Sequence, residues 1–374
     1  MLIYLLHFVT TDFYTQYNQI LFFENMKRLE LLDYGRFFAA LAVMIFHYTY
    51  AGINGGKITS IDFYPYITDF TRFGMLGVEF FFMISGYVIF YSSKNKRASQ
   101  FLTSRVKRLY PSFWFAVFFT SFFAFTLAEG TMEITFKQMI VNLTMIPAAF
   151  GEKSVDGVYW TLIYEWKFYI VVFLILFFKL EQHFENIFIG WALLLFFAYI
   201  SDFNFLFLKY KFAFFIAGTL LALIKETPSL KTFLSLILCF VFCVVITFLE
   251  SEPTIAFISS CIVASFFLFF LFLNSKRGKS LTLPKSYILG ALSYPLYLIH
   301  AHVGYLLLST FATENNKHII YVLIVVLIVL TSYFIHRVIE KKYWKYWNKF
   351  FHATVEYPIS LIEQKMYPEE RTPK

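Results

Sequence analysis

The chain is predicted to be an all-α protein, a polytopic transmembrane helix bundle with about ten spanning helices. Three observations predict this. Hydrophobic residues fill 59% of its 374 positions and charged residues 15%, against about 25% charged in a soluble domain. Long stretches, among them 233–249, 255–273 and 319–335, hold no Asp, Glu, Lys or Arg, and a spanning helix needs roughly 20 mainly apolar residues. The basic residues, which leave a net charge of +8, gather at the ends of the apolar runs. That placement assigns the charge to membrane topology and makes no case for nucleic acid. The 52 Phe and 26 Tyr read as lipid-facing and packing residues.

Ten runs can be drawn: 29–50, 73–91, 109–128, 158–179, 186–200, 205–224, 233–249, 255–273, 287–310 and 319–335. With ten, the basic clusters at 27–28, 94–108, 276–285 and 337–349 share one side, and the positive-inside rule makes that side the cytoplasm. Both termini are then cytoplasmic. Only Lys209 and Lys211 disturb the pattern. The largest loop on the other side, 129–157, is expected to carry a short interfacial helix near 136–146. Residues 1–25 lack the basic start and small-residue cleavage site of a signal peptide, and Met26 is the more natural beginning. The expected organisation is an extension at 1–25, one membrane domain at 26–350 and a short polar cytoplasmic tail at 351–374. Cys239, Cys243 and Cys261 lie inside apolar runs and show neither a disulfide framework nor metal-ligand spacing.

Ionisable groups inside spans are costly and are functional candidates by default. Arg36 and His47 stand 11 residues apart in the first run, nearly on one face and about 16 Å apart along the axis. The bland alternative is a snorkelling arginine and a packed histidine. Glu79 in the second run and Glu165 in the fourth enter to a depth similar to that of His47. A carboxylate beside a histidine fixes its tautomer and raises its basicity, so His47 is the expected general base, with Glu79 or Glu165 orienting it. Arg105 and Arg108, at i and i+3, share a helix face at the mouth of the third run and offer a fork for phosphates. Pro295 is expected to kink the ninth run, with His300 in its outer half. Small residues around Ser85 and Gly86 allow close helix contact. His302, His318 and His336 sit nearer the ends and read as interfacial.

These stretches together resemble the acyltransferase-3 family of membrane acyltransferases, which includes O-antigen acetylases. The resemblance runs from about Arg28 to Trp347. It is carried in order by LDYGRFFAALAVMIFH (32–47), GVEFFFMISGY (77–87), FLTSRVKRLYP (101–111), YWTLIYEWKFY (159–169), LGALSYPLYLIH (289–300) and HRVIEKKYW (336–344). Thr161 stands where the family usually has Ser. The resemblance implies an acyl-CoA donor, usually acetyl-CoA, and a carbohydrate or glycolipid acceptor, in a bacterial inner membrane. Carried onto matching positions, it implies donor contacts at Arg36, Arg105 and Arg108, acceptor contacts at Trp160, Tyr169 and His300, and catalysis by His47 with Glu165 and Glu79. No nucleophile elbow is visible, which favours direct transfer. A saccharide or lipid transporter, or a structural export partner, is the competing class. A transporter would also use intramembrane His and Glu but would not turn over a thioester.

Overall fold

A computed structural model describes residues 30–368 apart from 204 and 282. The expected extension at 1–25 and the start at Met26 lie outside the described residues. Apart from turns and links the described chain is helical, with no strand. In order, the helices are α1 (Glu30–Asn54), α2 (Ile67–Ser93), α3 (Ala98–Leu127), α4 (Phe136–Asn142), α5 (Gly157–Phe177), α6 (Glu181–Ile200), α7 (Phe212–Glu226), α8 (Leu230–Glu250), α9 (Ala256–Asn274), α10 (Ser286–Ile299), α11 (Ala301–Phe311) and α12 (Lys317–Lys342). Two more, α13 (Trp344–Phe351) and α14 (Tyr357–Met366), follow.

Eight of these are long and apolar enough to cross a membrane, and the bent pair α10–α11 makes a ninth. The protein is a multi-pass membrane bundle. The difference from ten is α7. The run 205–224 becomes a helix of 15 residues, about 22 Å long, short of the roughly 30 Å hydrocarbon core. Before it, the chain turns back inward after Ile200, and the Phe207 carbonyl accepts the Trp191 indole N–H at 2.9 Å. The helix itself is enclosed, with every residue of α7 from Phe212 to Leu223 buried, whereas the irregular stretch before it is exposed at 201–203 and 205–206 and half-buried at 207–211.

Glycines bring α7 against α2. A Cβ at Gly86 would strike the Phe215 carbonyl, and one at Gly218 would strike the Met83 carbonyl. The expected close contact at Gly86 is therefore real, and its partner is Gly218. Around it the rings of Phe82, Phe168 and Phe215 stack, with centroids 4.4 Å (Phe82–Phe215) and 4.8 Å (Phe168–Phe215) apart.

Two other expectations are corrected. The segment 98–108 is not loop, because α3 already begins at Ala98. Its buried Phe101, Val106 and Leu109 form an inward face that the interleaved basic residues hide in the sequence. The kink of the ninth run falls at His300 rather than at Pro295: α10 continues through the proline, and α11 leaves at 62°. The break is well satisfied. The Tyr48 hydroxyl donates to the His300 carbonyl at 2.8 Å, and the freed His302 N–H donates to buried Asp156 at 2.9 Å.

The tail folds back as helix. Lys107 donates to Asn348 at 2.6 Å and the Ser99 hydroxyl to Glu363 at 2.5 Å, while Trp114 meets Trp347 and Phe351, each at 5.9 Å. So α13 and α14 brace the first half of α3.

Candidate active site

Two groups of polar side chains lie inside the bundle. The first surrounds His47, which opens a π-helical turn, His47–Ala51, in α1. Such turns re-aim side chains and recur at functional sites. His47 is half-buried. Its Nδ1 meets the Tyr305 hydroxyl of α11 in a short hydrogen bond, and its ring lies 5.1 Å from that of His300. His300 is fully buried. Its Nδ1 lies 2.8 Å from the Tyr297 carbonyl, which can only accept, so Nδ1 carries the proton and Nε2 a lone pair. That Nε2 is buried without a partner. Tyr297 in turn takes the Thr161 hydroxyl at 3.1 Å.

The expected carboxylate partner of His47 is thus not found. Among the described residues neither Glu79 nor Glu165 bonds to it. Glu79 is tied to Lys211 in a buried ion pair, which explains why Lys211 broke the charge pattern. The carboxylate that acts electrostatically on His300 and Tyr305 is Asp156, fully buried and bonded to the Val158 and His302 N–H groups.

The second group lies toward the α3 start. Glu165 accepts from the Tyr169 hydroxyl, one turn on, and from Ser85 at 3.4 Å. Arg105 covers the Tyr169 ring at 5.9 Å. Arg108 covers the Tyr294 ring at 5.4 Å and reaches Glu340 at 3.5 Å. Glu340 also takes Ser112 at 2.7 Å and His336 at 2.9 Å, and it lies in a second π-helical stretch, Ile335–Lys342. Arg36 sits within electrostatic reach of Arg108, Asp33, Glu165 and Tyr169. The three expected donor arginines, Arg36, Arg105 and Arg108, therefore converge. Tyr169, expected with the acceptor, joins them instead. Trp160 stays apart, 39% exposed.

Helices α1, α5 and α10 each contribute to both groups, through Arg36 and His47, Glu165 and Thr161, and Tyr294 and Tyr297. The two groups therefore sit at two levels of the same three helices. His302 and His336, expected at the interface, are both buried. Tyr305, Lys211 and Asp156 are not among the expected site residues. Lys211 left a signal as a break in the charge pattern and Asp156 as an Asp placed to cap the start of α5; Tyr305 left none.

The bundle thus holds a cluster of fixed cations at one level and, at another, a histidine pair in which the His300 Nε2 has no partner. The chain matches the family described as an acyltransferase domain over residues 29–337. It belongs to that family, acyltransferase-3, and is a membrane acyltransferase. No curated protein and no solved structure shows a significant match.

Proposed function

We propose that the chain transfers a short acyl group, usually acetyl, from acyl-CoA to a hydroxyl of a cell-surface carbohydrate or glycolipid. The reading places it in a bacterial inner membrane with both termini cytoplasmic: the segment 201–211 and the short α7 together return the chain between α6 and α8, as a tenth crossing would, and the basic loops then gather at the arginine end. The observation that carries the proposal is that α1 bears both Arg36, within electrostatic reach of Arg108, and His47. CoA is polyanionic and cytosolic, so its phosphates call for cations at the cytoplasmic mouth. Arg105 and Arg108 meet that need, with Arg36 deeper, and the pantetheine arm runs alongside α1 toward His47. His47 acts as base in the tautomer whose Nδ1–H donates to the Tyr305 hydroxyl, which leaves Nε2 to take the acceptor proton as the oxygen attacks the thioester carbonyl. The C–S bond breaks, and CoA leaves as the thiol. Glu165 then belongs to the donor side, holding Tyr169 beneath Arg105, and Glu79 holds the helix packing.

Arg105→Ala and Arg108→Ala test the donor side. Phosphate contacts remote from the reacting carbonyl bind ground and transition states alike, so each should raise the acyl-CoA KM about tenfold with little change in kcat. Lys96 adds a pH signature. Its burial brings the ammonium down to about 8, with Arg105 and Lys107 adding to the shift. Above that pH it loses its charge, so donor KM should climb between pH 7 and 9, and Lys96→Gln should flatten the climb. An unchanged donor KM in both arginine variants returns those residues to topology anchors.

A further inference from the structure

Where α5 packs against the end of the inward segment, with Tyr164 against Phe212 at 5.1 Å, two lysines come within electrostatic reach. The charges of Lys167 and Lys209 act on each other, both are half-buried, and no described carboxylate pairs with either. Lys167 stands ten residues from each end of its span, Gly157–Phe177, about 15 Å along the axis. A lysine stem does not cover that distance, so snorkelling does not account for it. A cation at such depth marks a ligand path or a water-filled cavity.

The neighbours are aromatic. The Lys167 ammonium lies 5.6 Å from the Tyr164 ring centre, and Tyr164 meets Trp160 edge-on at 5.5 Å. Trp160 is exposed, and so are Ile170 and Leu174 further along the same face of α5. This face of α5 therefore looks sideways toward lipid. It also adjoins the chemistry: Thr161, next to Trp160, bonds to Tyr297, whose ring lies 5.5 Å from His300.

We infer that this face binds the acceptor as an anionic glycolipid-type saccharide. A sugar ring rests on Trp160 and Tyr164, and a phosphodiester or carboxylate sits between Lys167 and Lys209. The inference rests on the acyl-transfer reading for its role; the anion preference stands on the lysines alone.

Full-length protein in lipid nanodiscs can be titrated calorimetrically with octyl glucoside, octyl glucuronide and octyl glucosyl phosphate. At least one anionic probe should bind about tenfold or more tightly than the neutral one. Lys167→Gln with Lys209→Gln should bring that ratio near one and leave octyl glucoside unchanged, while Arg at both positions keeps the preference. Preference for the glucuronide alone assigns a carboxylate, and preference for the phosphate alone a phosphodiester. Equal binding of all three by the unmodified protein, or a preference that survives the double Gln substitution, overturns the inference. Acetyl-CoA titrated in the same preparation separates the two readings: anion preference without acetyl-CoA binding removes the acyl-transfer reading alone.

Discussion

His47→Ala protein, folded and purified, is expected to lose acyl transfer by about two to four orders of magnitude, the range general bases contribute. A sugar hydroxyl is a weak nucleophile at neutral pH, and its proton must leave as the bond to the thioester carbon forms. His47→Gln keeps a hydrogen bond but accepts no proton, so it should not restore the rate. Tyr305→Phe supplies the control for orientation. It removes the hydroxyl that meets Nδ1 without touching the ring nitrogens, and should lower kcat far less than His47→Ala while leaving donor KM alone. Near-normal turnover in folded His47→Ala would take the histidine out of the mechanism.

The second large effect is expected on stability. Glu79 is 6% exposed and paired with Lys211, and breaking a buried pair from one side costs about 3–5 kcal/mol because it strands the other charge. Lys211→Met and Glu79→Gln should each lower the thermal midpoint strongly. Combined, they should recover most of the loss, since no buried charge is then left alone. A Glu79→Gln protein with an unchanged midpoint but a large fall in kcat would reverse this and return Glu79 to the side of His47.

Part of this was legible from residue order. Arg36 and His47 lie on one helix, so their spacing alone sets their relation, and the apolar runs mark nine of the ten expected spans. The rest depends on contacts between distant segments. Lys211 finds Glu79 across 132 positions and Tyr305 finds His47 across 258, and no local pattern announces either. Equal depth in three spans made Glu79, Glu165 and His47 look like neighbours, but depth says nothing of azimuth, and the helices turn the two carboxylates elsewhere. The proline of the ninth run was the visible breaker. The bend moved to His300 because Tyr48 and Asp156 stand there to take the freed backbone groups.

The account turns on whether acyl groups pass from a thioester to a hydroxyl in this bundle. Radiolabelled acetyl-CoA supplied to the purified protein with bacterial envelope glycan reads this directly, with free CoA thiol and glycan-bound acetyl ester followed together. Thiol and ester should appear one for one, and both should vanish in His47→Ala. Movement of saccharide across the membrane with no thiol released would contradict it.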